Sequence, residues 1–352
     1  MEDLDRVELW QEADPRAMKD LVASFPAQLR AARGLVGNLR LPCRDRIGKV
    51  IVAGMGGSAI GGEIARAAAS DRLQVPLAVQ RDYALPAFAD ARTLVIASSY
   101  SGNTEETLQA VGEARRAGAE VACVTSGGEL ARLAAAGRMP LILIPPGLPP
   151  RAALGYSTVA ILGLLRAAGV IGDIDESLAE TESLLDSLGR RWQPEIPESA
   201  NPAKRLARSL HGRIAAIYGS AGLLEPAAYR WRCQIEENAK NLAWHHALPE
   251  MNHNELVGWE MKSPVLERIG VVMLRDREDH PQVRRRFDLT CGFLTGRCGA
   301  LHQVWTEGSS RLARIFSAIY LGDFVSLYLA YLNGVDPTPV EVIEYLKREL
   351  RR

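Results

Sequence analysis

A cluster of hydroxyl-bearing residues separates two regular segments in the first third of the chain. The apolar, β-branched run Thr93–Ala97 is typical of a buried strand, and a helical pattern begins again at Thr107. Between them stand Ser98, Ser99, Tyr100, Ser101, Gly102, Asn103 and Thr104. Asn103 and Glu106, three residues apart, fit a helix N-cap and its capping-box partner. Hydroxyls and free N–H groups at a helix N-terminus predict an anion site, and phosphate suits it best.

A second candidate site is the glycine-rich loop Gly54–Gly62, which follows the predicted strand Gly48–Ala53. Its spacing formally satisfies a dinucleotide-binding fingerprint. Such a site also needs an acidic residue at the end of the second strand, where this chain has Gln80, so NAD(P) binding is disfavoured. Two alternatives remain. Either Gly57 lets the backbone approach a sugar phosphate, with the Ser58 hydroxyl beside it, or the glycines only allow helix–sheet packing.

Five motifs resemble those of one protein family: GMGGSAIGG, SSYSGNTEET, PPRAALGY, QIEENAKN and LPEMNHNELVGWE. In this order they are similar to the bifunctional phosphoglucose/phosphomannose isomerases, a two-domain branch of the sugar-isomerase (SIS) superfamily. The likeness runs from about Arg46 to the end of the chain. It implies that Ser99, Ser101 and Thr104 hold the phosphate of a hexose 6-phosphate. It also implies interconversion of glucose 6-phosphate, and mannose 6-phosphate, with fructose 6-phosphate through a cis-enediol.

The helical stretch Tyr229–Lys240 contains two adjacent carboxylates. Glu236 and Glu237 point about 100° apart, so at most one of them faces a given cleft. Gln234, Glu237 and Asn238 share one face, where an apolar pocket would raise a glutamate pKa toward working pH. In the resembling family the proton-transferring base lies in a Q-x-x-E-N pattern, which corresponds to Glu237. The alternative is a surface carboxylate paired with Arg or Lys, and it is the favoured interpretation of Glu236.

His253 and Arg151 are the other candidates for chemistry. His253 lies in the polar run NHNE, and imidazole is well suited to opening a sugar ring near neutral pH. A structural histidine is the alternative. The resemblance implies that His253 is supplied by the partner subunit of a homodimer. Arg151 follows the fifth predicted strand and matches the family's PPRxxLG arginine, where it would stabilise the enediolate, a salt bridge being the alternative.

Two residues near the C-terminus complete the predicted site. Lys347, in IEYLKREL, corresponds to the active-site lysine of the resembling family, and a solvent-facing helix position is the alternative. The same resemblance implies that Thr338, in DPTPVEVIE, is the hydroxyl that tolerates the C2 epimer. His245 and His246 have no further ligand at metal spacing, so neither zinc nor another metal is expected, and no cofactor is predicted.

Strands and helices alternate from Arg46 onward, as in parallel sheets covered by helices with ligand sites at the strand carboxyl ends. The predicted strands are Gly48–Ala53, Val75–Val79, Leu94–Ser98, Glu120–Val124, Leu141–Ile144, Arg213–Gly219, Gly270–Leu274 and Ala300–Trp305. The main predicted helices are Glu63–Ala69, Thr107–Ala117, Leu130–Ala135, Tyr156–Ala168, Pro226–Lys240, Leu289–Cys298, Ser310–Leu332 and Val340–Leu350. A strand, a glycine–serine turn and a helix occur twice, which predicts a duplicated α/β fold with a cleft between two SIS-type domains.

The predicted organisation is an N-terminal helical segment (1–45), a first SIS domain (46–191), a linker (192–205), a second SIS domain (206–337) and a C-terminal helix (338–352). With 352 residues, a net charge of +0 and a pI of about 7, the chain offers no electrostatic basis for binding nucleic acid or an anionic membrane. The cysteines lack metal spacing and predict buried thiols in a reducing compartment: Cys43, Cys123, Cys233, Cys291 and Cys298.

A cytoplasmic location is expected from two features. The N-terminus is acidic and amphipathic, unlike a secretory signal, and no run approaches the roughly 18 apolar residues of a membrane span. The main alternative function is a non-catalytic sugar-phosphate sensor, which the absence of a helix-turn-helix segment or basic arm disfavours. Amidotransfer or amino-sugar deamination is also disfavoured, because no cysteine follows Met1 closely.

Overall fold

A computed structural model describes residues 3–37, 39–41 and 46–350. Cys43, predicted as a buried thiol, lies outside these residues. The chain forms two compact units. The first unit comprises the described parts of Ser24–Ser183 together with Gly308–Ala313. The second unit comprises the described parts of Met1–Ala23, Leu184–Glu307 and Arg314–Arg352.

The described residues contain nine strands and fourteen α-helices. The strands are β1 (Lys49–Ala53), β2 (Leu77–Gln80), β3 (Thr93–Ser98), β4 (Glu120–Thr125), β5 (Leu141–Leu143), β6 (Ile214–Ser220), β7 (Ala243–Leu248), β8 (Ile269–Arg275) and β9 (Ala300–Trp305). The helices are α1 (Trp10–Ala13), α2 (Met18–Ala23), α3 (Phe25–Val36), α4 (Gly56–Ala69), α5 (Glu105–Arg116), α6 (Gly128–Gly137), α7 (Leu154–Ala167), α8 (Asp175–Trp192), α9 (Pro202–Leu210), α10 (Glu225–Ala239), α11 (Glu255–Gly258), α12 (Pro281–Leu294), α13 (Arg311–Leu332) and α14 (Glu341–Glu349). Short 3-10 helices cover Val7–Leu9, Pro150–Ala153, Glu250–His253 and Pro264–Arg268.

The first unit contains a five-stranded parallel sheet in the order β2-β1-β3-β4-β5. All six residues of β3 are buried, because helices cover both faces of a sheet built this way. Ile51 on β1 pairs with Val95 on β3, and both belong to the apolar core with Leu130 of α6. The order reverses between β1 and β3, and ligands of open α/β sheets bind at such a point, beyond the carboxyl ends of the strands.

The second unit contains a four-stranded parallel sheet in the order β7-β6-β8-β9. Its reversal point lies between β6 and β8, so the two sheets share the same order over four strands. The core is built around Tyr218, Met251, Trp259 and Phe287. The two parallel, helix-flanked sheets confirm the predicted α/β class.

The long helix α13 is apolar over its whole length. Among the described residues it is the one helix long and apolar enough to cross a membrane, and the window that meets this criterion is 100% buried in the structure. The sequence pattern had predicted no such stretch. Burial of all its faces is what a central core helix shows, since such a helix is apolar all round.

Two predicted segments differ in the second unit. The strand β7 was not predicted, because its sequence AWHHAL has two histidines at its centre and lies at the half-buried edge of the sheet. The helix α12 begins at Pro281, eight residues before the predicted Leu289, and ends at Leu294 rather than Cys298. Its first turns carry Val283 and Phe287 at helical spacing, and both pack against the core, but the three arginines between them made this pattern easy to miss.

Two segments predicted as a loop and a linker contain helical residues. The glycine-rich stretch after β1 is mostly the start of α4, which begins at Gly56. The segment 192–205, predicted as a linker, contains the first turn of α9, and Lys204 within it is fully buried. The Lys204 ammonium donates to an Asp5 carboxylate oxygen at 2.8 Å and lies over the Trp10 ring, so this segment is part of the packed second unit.

Candidate active site

The loops after β1 and β3 meet at the reversal point of the first sheet. A Cβ on Gly54 would lie 2.7 Å from the carbonyl oxygen of Ser98, so only glycine permits this approach. The same Cβ would lie 3.3 Å from the Cβ of Ser58, whose side chain is buried at the start of α4. The first turn of α4 and the end of β3 therefore adjoin each other.

The hydroxyl-rich loop after β3 is stabilised by its own side chains. The hydroxyls of Ser99 and Thr104 are 2.8 Å apart, and the Gly102 amide donates to Ser99 Oγ at 3.1 Å. The Asn103 amide donates to Ser101 Oγ at 3.2 Å. Ser99 is only 2% exposed, whereas Ser101 is exposed. Among the predicted phosphate ligands, Ser101 thus faces solvent while Ser99 shapes the loop.

The predicted capping box of α5 is wrong. The helix begins at Glu105, and its N-cap is Thr104 in an extended conformation with no side-chain cap. Asn103, the predicted N-cap, instead accepts a hydrogen bond of 3.1 Å at Oδ1 from the amide of Glu129 in α6. Because no side chain caps α5, the N–H groups of its first turn stay available to an anion.

The acidic first turn of α5 would repel an anion if both carboxylates faced it. Both carboxylates lie near Tyr83 in the loop after β2, since the charge of Glu106 is the chief cause that raises the pKa of Tyr83 and Glu105 adds to the shift.

The loop after β3 is packed against the loop after β4. Gly102 adopts a φ of +69°, and a Cβ on it would lie 1.9 Å from the carbonyl oxygen of Gly127. The Ser126 hydroxyl donates to the carbonyl oxygen of Tyr100 at 2.7 Å. The two loops are therefore tightly packed, and a side chain at position 102 would clash with the loop after β4.

Arg151 lies next to the first turn of α4. It belongs to the 3-10 helix Pro150–Ala153 and is 5% exposed. A Cβ on Gly57 would lie 3.0 Å from the carbonyl oxygen of Pro150 and 3.7 Å from the Cα of Arg151. The structure therefore brings Arg151, Gly57 and Ser58 together.

The glycines of this stretch allow close packing, and the approach of a sugar phosphate to Gly57 stays a prediction. Gly54 and Gly57 permit close approach of neighbouring loops at the carboxyl edge of the sheet. Gly62 allows packing, because a Cβ on it would lie 2.8 Å from a methyl carbon of Val52 on β1. A Cβ on Gly61 would lie 2.9 Å from the Ser157 hydroxyl oxygen.

The helix α10 carries Glu237 in a half-buried position. Gln234, Glu237 and Asn238 do not form one shared face as predicted, because Gln234 and Asn238 are buried whereas Glu237 is half-buried. Asn238 donates to the Ser326 hydroxyl on α13 at 2.9 Å. The Lys240 ammonium donates to the carbonyl oxygens of Glu237 at 2.7 Å and Pro337 at 3.4 Å, so it ties the end of α10 to the segment that carries Thr338.

Glu236 forms an ion pair with Arg232, one helical turn earlier, at 3.5 Å. Burial raises the pKa of Glu236, and the charge of Arg232 opposes this shift. The pairing agrees with the prediction that Glu236 is a carboxylate matched to a helix neighbour.

His253 is the last residue of the 3-10 helix Glu250–His253 and is exposed. Among the described residues, none makes a hydrogen bond to its ring. Its neighbours are held firmly: Asn252 Nδ2 donates to Thr290 Oγ1 at 2.9 Å, and Asn254 Nδ2 donates to Glu250 Oε1 at 2.9 Å.

A carboxylate that the sequence did not single out lies two residues beyond His253. Glu255 Oε1 accepts hydrogen bonds from the Tyr218 hydroxyl and from Trp244 Nε1, the latter at 2.9 Å. Glu255 Oε2 lies 2.8 Å from His246 Nδ1. Burial, aided by the charge of Glu255, holds the pKa of Tyr218 far above its usual range. The NHNE motif is the only signal in the sequence, because Tyr218 on β6 and the residues of β7 reach Glu255 only once the chain has folded.

Lys347 lies on α14, near the end of the described chain. Every residue of α14 is at least partly exposed, and Lys347 is exposed. The helix also leaves apolar side chains uncovered, including Val342 at 81% and Leu346 at 56% exposure.

No three His, Cys, Asp or Glu side chains of the described residues are grouped as metal ligands. The described cysteines are free thiols: Cys123, Cys233, Cys291 and Cys298. Burial raises the pKa of Cys123 to about 12, so this thiol is unreactive at neutral pH.

Two parallel sheets of the same strand order, with a hydroxyl-rich loop at the reversal point of one, define a protein with two SIS-type domains. Residues 199–350 match the family model described as the bacterial phospho-glucose isomerase C-terminal SIS domain. A glucose-6-phosphate isomerase like protein from Thermus thermophilus aligns over 99% of both chains with a TM-score of 0.63 and 25% identity.

Curated relatives extend the likeness over almost the whole chain. A bifunctional phosphoglucose/phosphomannose isomerase from Caldicellulosiruptor bescii is 45% identical over 95% of this chain and 98% of its own. One from Aquifex aeolicus is 38% identical over 86% of this chain and 90% of its own. The chain belongs to the bifunctional phosphoglucose/phosphomannose isomerase family.

Proposed function

We propose that this protein is an aldose–ketose isomerase that interconverts glucose 6-phosphate, and mannose 6-phosphate, with fructose 6-phosphate. The observation that carries the proposal is the hydroxyl-rich loop at the reversal point of the first sheet, in a chain of this family. The exposed Ser101 hydroxyl and the uncapped N–H groups of α5 suit a phosphate dianion. Ser99, Thr104, Gly57 and Ser58 complete this binding region.

The acid–base chemistry is assigned to two residues. His253 gives a proton to the ring oxygen and takes one from the anomeric hydroxyl, which opens the ring. Glu237 then takes the proton from C2, and the electron pair moves to the C1 oxygen to form a cis-enediolate. Glu237 returns the proton to C1, while the proton of the C2 hydroxyl passes to the C1 oxygen and C2 becomes the ketone carbon. The guanidinium of Arg151 stabilises the enediolate charge, which exists only during reaction.

The remaining assignments concern substrate positioning. Thr338 lies on the segment that Lys240 ties to the end of α10, which supports a role beside Glu237 in accepting either C2 configuration. Lys347 is assigned to the site as well, and its exposed position on α14 requires that helix to dock when the site forms.

A homodimer is part of the proposal, with His253 supplied by the partner subunit. Support comes from the exposed apolar side chains that follow His253 in the chain: Val257 is 68% exposed, Met261 51% and Val265 44%. Large exposed apolar side chains are more frequent at interaction sites than on the rest of a protein surface. We also place this isomerase in the cytoplasm and propose that it works without a metal, because its own carboxylate, imidazole and guanidinium supply the required chemistry.

A coupled assay of the purified protein with both hexose 6-phosphates, with and without a chelator, tests the function. We expect turnover in both conditions and exchange of substrate C2 deuterium with solvent. Glu237→Gln should lower kcat by a factor on the order of 10³, because the only proton carrier at C2 is lost. Glu236→Gln is the matched control and should keep near-normal activity. Binding of fructose 6-phosphate without interconversion would favour the sensor instead.

A further inference from the structure

The segment around His253 is fixed by side chains on both sides of it. Asn252 is bonded to Thr290, Asn254 to Glu250, and Glu255 to three donors. Among the described residues, only the His253 ring in this run has no hydrogen-bond partner. An imidazole that must exchange protons with a ligand needs both nitrogens accessible, so its position has to come from the backbone that carries it.

Glu255 provides the largest part of that positioning. Its donors come from two neighbouring strands, Tyr218 from β6 and Trp244 with His246 from β7. Trp259 Nε1 donates to the Tyr218 hydroxyl at 3.2 Å and extends the network by one further residue. Hydrogen bonds to an ionised carboxylate are stronger than neutral ones, and a fully bonded network restricts a segment to one arrangement.

Stability alone does not account for this carboxylate. Its side chain is 26% exposed, and it lies beside the apolar core formed by Tyr218, Met251 and Trp259. Withdrawing a carboxylate from water costs free energy, and apolar residues of similar volume often stabilise such a position equally well. The hydrogen bonds of the Glu255 carboxylate in addition fix the direction of the chain after it leaves β7.

We propose that Glu255 is a positioning residue that holds His253 in place for ring opening, by binding the segment to β6 and β7. The inference rests on the proposed function, since it takes His253 as the ring-opening group. Glu255 itself transfers no proton in the reaction. Its removal should therefore act only through His253, and a misplacement of about 1 Å can cost about 10²-fold in rate.

A double-mutant cycle with His253→Ala tests this coupling. Glu255→Ala removes all three hydrogen bonds and should lower kcat between about tenfold and about 10²-fold, with KM changed less than about twofold. Glu255→Gln keeps an oxygen for Tyr218 and Trp244 and alters only the His246 contact, so its loss should be several times smaller. Glu260→Gln is the matched control, because this glutamate is exposed and its side chain makes no hydrogen bond or ion pair with a described residue.

The expected result is non-additivity. In the His253→Ala background, where spontaneous ring opening limits the rate, Glu255→Ala should cause no further loss beyond about twofold. Equal loss in both backgrounds would overturn the proposal and indicate a structural role only. If Glu255→Ala does not fold, Glu255→Gln takes its place in the cycle, and its loss should likewise disappear in the His253→Ala background. Full activity of His253→Ala itself would instead refute the assignment of His253 in the proposed function.

Discussion

The Tyr100 hydroxyl accepts a hydrogen bond of 2.8 Å from the amide of Leu148. It also donates to the carbonyl oxygen of Pro145 at 2.9 Å. One side chain of the hydroxyl-rich loop thus fixes the proline-rich segment that leads into Arg151. The proposed phosphate site and the proposed enediolate-stabilising residue are held at a set distance by this contact.

Tyr100→Phe should separate phosphate binding from stabilisation of the enediolate by Arg151. Loss of the hydroxyl leaves both backbone groups without their side-chain partner, so the segment before Arg151 becomes less well placed. We expect kcat to fall about tenfold, while inhibition by inorganic phosphate stays within about twofold of the original protein. Steady-state kinetics with phosphate as competitive inhibitor measures both quantities. An equal weakening of phosphate inhibition would contradict this division.

The two serines of the loop should respond differently to removal of their hydroxyls. Ser101 is exposed, so Ser101→Ala should raise KM about tenfold and change kcat little, because a binding interaction is lost equally in ground and transition states. Ser99 bonds internally to Thr104 and Gly102, so Ser99→Ala should also lower the thermal midpoint of unfolding. Comparison of KM, kcat and unfolding midpoint for the two variants checks this. Identical profiles would show that both serines do the same thing.

The central parts of the fold were predictable from local sequence. Strand β3 was predicted within one residue, because a fully buried parallel strand is an unbroken apolar run. Strand β9 was predicted with the bounds that the structure has, although it is a partly exposed edge strand with the mixed sequence ALHQVW. The strand β7 was missed, since a half-buried edge strand with two histidines has no such run. Helix ends were less reliable, as Asn103 illustrates: its side chain bonds to α6 rather than capping α5.

The site could be predicted only where one local motif carries it. The loop containing Ser99 and Ser101 is contiguous, so its composition indicated an anion. Glu255 could not be recognised, because its donors Tyr218 and His246 come together only when β6 and β7 pair. The face shared by Gln234 and Glu237 was also divided by a distant element, since α13 covers one side of α10.

A buried ion pair holds α10 against α13. Arg230 donates to Asp323 through two hydrogen bonds of 3.1 and 3.0 Å, and both side chains are 4% exposed. Asp323→Ala leaves an unpaired buried guanidinium and should lower the free energy of unfolding by about 3–5 kcal/mol. Denaturant titration measures this loss. Because Glu237 lies on α10, kcat should fall in the same variant.

The double variant Arg230→Met with Asp323→Leu is the control for that interpretation. It removes both charges and fills the space with apolar atoms, so most of the lost stability should return. A double variant as unstable as Asp323→Ala alone would show that packing, not the unpaired charge, causes the loss.

The half-buried His302 should make stability depend on pH. Burial lowers the pKa of His302, and the charge of Arg213 lowers it further, while its Nε2 lies 2.6 Å from the Ser209 hydroxyl oxygen. In the unfolded chain histidine titrates near pH 6.5, so as the pH falls through that value the unfolded state binds a proton before the folded state does. The contribution of His302 is therefore constant above about pH 6.5 and is lost as the pH falls below it. His302→Gln can keep a hydrogen bond to Ser209 without titrating, so its unfolding midpoint should fall less than that of the original protein between about pH 7.5 and about pH 5.5. Thermal unfolding at several pH values measures the difference, and parallel curves for the two proteins would contradict the assignment.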